Sequence, residues 1–62
     1  MSEMIRDERG RLIGQRIESG DVVFLRDEHG HLKGTHNKAA DKTYDGHGHL
    51  VGSGDQLLRL LD

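Results

Sequence analysis

Four histidines carry the most chemical promise in this chain. They stand in two identical triplets, His29-Gly30-His31 and His47-Gly48-His49. Side chains two apart on a β-strand point the same way, so an H-x-H pair can present two imidazoles to one ion. Two such pairs would supply four nitrogen ligands, a set that Zn or Ni accepts. Three features weigh against a dedicated centre. The middle residue is a glycine suited to a bend, which puts the first histidine of each pair in a turn. An earlier copy of the same phrase has Arg9 and Arg11 at these two places, as expected of exposed positions that tolerate any polar side chain. No cysteine is present to complete a ligand set. The remaining histidine, His36, reads as a surface strand residue.

Catalytic patterns are missing. There is no G-x-S-x-G, no Walker glycine-lysine pattern, no H-E-x-x-H and no cysteine nucleophile. An acid–base pair could be drawn between the aspartates and histidines, but it would sit on exposed turns where nothing excludes water. A chain of 62 residues also leaves little volume for a ligand cavity. The expectation is a protein that is not an enzyme and uses no cofactor.

Both histidine triplets belong to a longer phrase that occurs three times. Its frame is D-x-x-G-x-L-x-G, from Asp7 to Gly14, Asp27 to Gly34 and Asp45 to Gly52. A period near 20 residues marks repetition of one small supersecondary unit. Aspartate opening a turn can accept hydrogen bonds from the backbone just ahead of it. Glycine three residues later suits a left-handed backbone. Together they predict a type I turn followed by an αL glycine, the three-residue hairpin loop with a G1 bulge. Asp7, Asp27 and Asp45 are therefore read as turn caps.

The flanking segments predict strands. Alternation puts Leu12, Leu32 and Leu50 on one face with Gly14, Gly34 and Gly52, and that face is expected to be the core. The glycines are expected to mark bends or close approach of backbone. Val22 to Leu25 is an apolar run bounded by turn signals, which predicts a buried strand with Phe24 as an anchor. Ile5 and Leu25 join the expected core. The fold class is all-β: three consecutive hairpin repeats at about 4–17, 22–36 and 42–52, giving six short antiparallel strands with approximate threefold repetition. They form one domain over 1–62.

The tail differs. Asp55 can cap a helix over about 55–61, with a strand the alternative for so short a leucine run. Leu57, Leu58, Leu60 and Leu61 would crowd one side of it. A helix this short cannot hold itself in water, so it must pack on something. Either it lids the hairpin core or these four leucines form an interface with a neighbouring chain.

Composition narrows the partners. A chain this small, without cysteine, is marginal alone. Six short strands also leave open edges. A homo-oligomer, most simply a dimer, is expected. Net charge is −2 with neutral histidines, which gives no pull toward nucleic acid or an acidic membrane. No stretch approaches transmembrane length. The N-terminus lacks the apolar region of a signal peptide, so a cytoplasmic location is expected. The leading functional expectation is a non-catalytic structural or protein-interaction module. Metal binding through the histidine pairs is the alternative.

The stretch Tyr44-Asp45-Gly46-His47-Gly48-His49-Leu50 resembles the YD repeat of Rhs-type proteins, whose core is Tyr-Asp, two residues, then Gly-Arg-Leu. Gly10-Arg11-Leu12 matches that ending, while Arg6 and Arg26 stand where that family has tyrosine. The resemblance covers the three motifs and not the tail. It implies β-hairpin character and suggests an accessory of a toxin or secretion system. The frames and their following glycines are also similar to small bacterial β-flower proteins, in which hairpins with D-x-x-G tips are arranged as petals about a pseudo-symmetry axis. Lys42 to Asp45, Val51 to Gly54 and Leu57-Leu58 extend that likeness. It implies a petal-like arrangement and no established activity.

Overall fold

The computed structural model describes residues 2–61. It is all-β, with six strands joined in chain order into one antiparallel sheet. The strands are β1 (Ser2–Arg6), β2 (Leu12–Ser19), β3 (Val22–Asp27), β4 (Leu32–Asn37), β5 (Lys42–Asp45) and β6 (Leu50–Ser53). The expected hairpins β1–β2, β3–β4 and β5–β6 form, and β2–β3 and β4–β5 pair as well. The result is a meander, because every connection is short enough to return the chain beside itself. Gly20 takes a positive φ of 61° in the two-residue loop between Ser19 and Val22, as a tight hairpin requires.

Each of the three expected hairpins carries one extra residue. Ile5 pairs with Gly14 and Arg6 with Leu12, so Ile13 is passed over. Leu25 pairs with Gly34 and Arg26 with Leu32, passing over Lys33. Thr43 pairs with Gly52 and Tyr44 with Leu50, passing over Val51. A one-residue slip moves every side chain beyond it to the opposite face. The leucines and glycines therefore part company, against the alternation expected from the sequence. Leu12, Leu32 and Leu50 are 36%, 40% and 57% exposed and are not core residues.

The core lies on the glycine face. Val23, Leu25 and Leu57 are fully buried, and Ile5, Leu60 and Leu61 pack against them. Phe24 points the other way: it pairs with Ile17 and Thr35, across from the Val23 and Leu25 side. It is half-buried rather than a core anchor.

The tail is helical, as expected, but as a 3-10 turn over Leu57–Leu61. Asp55 caps it by accepting from the Leu57 N–H at 3.1 Å. Three residues per turn bring Leu57 and Leu60 onto one side. Leu57 enters the core, Leu60 and Leu61 lie beside it, and Leu58 stays 57% exposed. The turn thus lids the sheet. An ion pair from Arg16 to Asp55 at 2.9 Å ties the start of the lid to β2.

Glycine makes room for this lid. A Cβ at Gly34 would meet Leu60 Cδ1 and would stand 2.6 Å from the Tyr44 carbonyl oxygen. At Gly52 the nearest atom would be Gln56 Cγ at 3.8 Å, an ordinary contact. Gly34→Ala should cost about 1–3 kcal/mol in urea unfolding, and Gly52→Ala less than about 0.5 kcal/mol. Equal costs would refute the account of the lid.

Candidate functional site

The three hairpin tips are built alike from their aspartates. Asp27 Oδ1 accepts from the His29 N–H at 2.8 Å and the His31 N–H at 2.9 Å. Asp7 does the same with Arg9 and Arg11, and Asp45 with His47 and His49. The aspartate carbonyl accepts from the glycine N–H at each tip. Gly10, Gly30 and Gly48 have φ of 82°, 85° and 85°. These are the type I turns with αL glycine expected from the sequence. All three carboxyls are held below the ordinary value of 3.8, first by the amide four residues on. Partial burial opposes this shift, and the amide two residues on adds to it.

The side chain four residues past each aspartate leans on it. Arg11 Nε lies 3.1 Å from Asp7 Oδ2. His31 Nδ1 lies 3.5 Å from Asp27 Oδ2, and His49 Nδ1 lies 3.6 Å from Asp45 Oδ2. The second histidine of each triplet therefore occupies the place of Arg11. Arg6 and Arg26 close two of the tips by donating to the carbonyls of Gly10 and Gly30. At the third tip Tyr44 stands at the corresponding position.

The histidine pairs are adjacent as expected. The ring centroids of His29 and His31 are 6.1 Å apart, and those of His47 and His49 are 6.3 Å apart. The rings are tilted and exposed. The two pairs do not converge: among the described residues no group of three or more His, Cys, Asp or Glu could hold one ion. Within one chain each tip offers at most two nitrogen ligands.

His36, expected at the surface, is buried. Its Nδ1 lies 3.1 Å from Thr43 Oγ1. The Thr43 hydroxyl donates to the Gly54 carbonyl at 2.7 Å and accepts from the Gln56 N–H at 3.1 Å. A hydroxyl has one proton, and here Gly54 takes it. The contact with His36 is therefore donated by the ring, which assigns a proton to Nδ1. This knot fastens β4 and β5 to the segment entering the lid. Its role is structural, and the sequence carried no signal for it beyond His36 and Thr43 themselves.

Concave space is scarce. A shallow cleft of about 260 Å³ lies between Lys33, Asp45, Gly46, His47 and Leu60. Another of about 200 Å³ lies between Ser2, Glu3, Arg16 and Glu18.

The largest unassigned feature is the sheet face away from the lid. Cross-strand partners share a face. One row runs Ser2, Ile17, Phe24, Thr35, Tyr44, Leu50, and the next runs Met4, Gln15, Arg26, Leu32. Both aromatic residues of the chain, Phe24 and Tyr44, therefore lie here. The charged residues paired on this face are Arg6, Arg26 and Lys42. The acids of the strand pairs, Glu3, Glu18, Asp27 and Asp45, all pair on the lidded face. The sequence hid this sorting because the register slips decide it.

No family model, no curated protein and no solved structure matches the chain. Among the described residues no helix is long and apolar enough to cross a membrane.

The ionised tip carboxylates hold the turn amides and so add to the stability of the fold. A lowered carboxyl pKa contributes stability that is fully present above the unfolded value of 3.8 and lost as pH falls through the folded value. Wild-type stability should therefore fall as pH drops below about 4. The combined variant Asp7→Asn, Asp27→Asn, Asp45→Asn should show a flatter fall, read by urea midpoints across that range. An unchanged slope would remove the tips from the acid response.

Proposed function

We propose that the chain is a non-catalytic protein-interaction module that presents the sheet face opposite its lid to a partner. One observation carries this reading. Met4, Leu32 and Leu50 are 56%, 40% and 57% exposed on a face that also holds both aromatics and two arginines and pairs no acid there. Aromatics, methionine and arginine are enriched at protein interfaces, while aspartate and glutamate are depleted. Soluble proteins do not keep such a surface for folding alone. Self-association belongs to the same reading, with a second copy as one occupant of the face. The four tail leucines serve it less well, since the lid encloses Leu57 and engages Leu60 and Leu61.

The test separates surface from core. Leu32→Ser with Leu50→Ser should shift the melting temperature by no more than about 5 °C. It should also reduce the fluorescence of a bound hydrophobic dye. Loss of about 2–5 kcal/mol per leucine would show that the face is already packed in the isolated chain, and the reading would fall.

A second reading is favoured by the rings themselves. Each pair sits close enough for two imidazoles to turn onto one ion, and the aspartate behind Nδ1 of His31 and His49 leaves Nε2 facing outward. A carboxylate behind a ligating histidine is a common metal-site arrangement. Under this reading Zn added at one ion per tip shifts the imidazole NMR signals of all four exposed histidines and leaves those of His36 in place. Unmoved signals at that ratio end the reading.

A further inference from the structure

The partner of the open face can be narrowed by its charge and size. This step rests on the interaction role proposed above. The face pairs Arg6 with Leu12, Arg26 with Gln15 and Leu32, and Lys42 with Asn37 and Ser53. Among the strand pairs of the described residues no carboxylate joins them on that side. Arg6 and Arg26 each spend one N–H on a tip carbonyl. A guanidinium has five such donors, so most remain available to a visiting anion.

Four occupants compete. A second copy would bring the same three cations against this set, and like charges across an interface disfavour association. Six strands spaced about 4.8 Å apart, with a run of about 17 Å along each, give a footprint of about 400 Å². An anionic lipid surface would meet only three cations on a chain whose net charge is −2, and peripheral anchoring needs stronger signals than that. Nucleic acid has the same difficulty, since phosphate neutralisation sets its affinity. A single helix suits the dimensions: about 10 Å across, with about 16 residues spanning the 24 Å between outer strands.

We propose that this face receives an acidic amphipathic helix of another protein. Its apolar ridge lies along the Ile17–Phe24–Thr35–Tyr44 row, and its carboxylates meet Arg6, Arg26 and Lys42. Helix on sheet is one of the few layer packings that bury an apolar sheet face. The pairing would complete a second core on the side where the chain has none.

The experiment uses the full chain labelled with ¹⁵N and two synthetic 16-residue helical peptides. Both carry leucine at every third or fourth position; one has glutamate between the leucines and the other lysine. The glutamate peptide should shift the amides of Phe24, Thr35 and Tyr44, and the lysine peptide should bind about tenfold more weakly. Arg26→Glu with Lys42→Glu should reverse that preference. Equal binding of the two peptides overturns the proposal, as do shifts centred on the tips or on Leu57–Leu61. So does a dimeric mass by sedimentation that survives excess glutamate peptide, or binding to phosphatidylserine vesicles in place of the peptide. In these cases the melting behaviour of the Leu32→Ser, Leu50→Ser variant still stands, so failure of the acid preference is distinct from failure of the interaction role.

Discussion

One extra residue in each of the three expected hairpins governs the rest of this structure. Ile13, Lys33 and Val51 are passed over in the pairing, just beyond the tip. The side-chain period of a strand is two, so a slip of one residue exchanges the faces. Without the slip, each leucine would share the lidded face with its following glycine. With it, the glycines stay under the lid while the leucines turn to the other side.

The two faces consequently differ in kind. The lidded face holds a small core, a buried His36–Thr43 knot and the strand acids. Its closure depends on the 3-10 turn settling over backbone that lacks side chains at Gly14 and Gly34. Three fully buried apolar side chains are few, even for a chain of this size. The other face holds the aromatics, the tip leucines and the cations Arg6, Arg26 and Lys42, with nothing from the described residues laid across it. A sheet with a single covering element has filled only one of the layers that its apolar surface could support.

The tips show how sequence similarity can mislead about chemistry. His31, His49 and Arg11 differ in type and share one position beside an aspartate. Much of what recurs there is local hydrogen bonding: a carboxylate taking two amides, and a left-handed glycine. A carboxylate that accepts the amides just ahead of it starts the turn, so the aspartate is fixed by the turn before any ligand is considered. The histidines are held near their carboxylates by that geometry, which is why a structural role and a possible ion site coincide in the same atoms.

The sequence by itself determined the strands and the turns. Aspartate and glycine at set spacing dictate a local backbone, and neighbouring residues suffice for that. It also determined that the tail would be short and apolar, with Asp55 as the cap of a helix if one formed, and that it must be packed. Only the tertiary structure decided which face each residue takes. Leu12, Leu32 and Leu50 were assigned inward because alternation is counted along one strand, whereas register is set between two. His36 reads outward for the same reason: its place on the lidded face comes from pairing with Val23 and Thr43, which a single strand does not show. The open face follows from these same cross-strand pairings, and a property of pairs is not written in either partner alone.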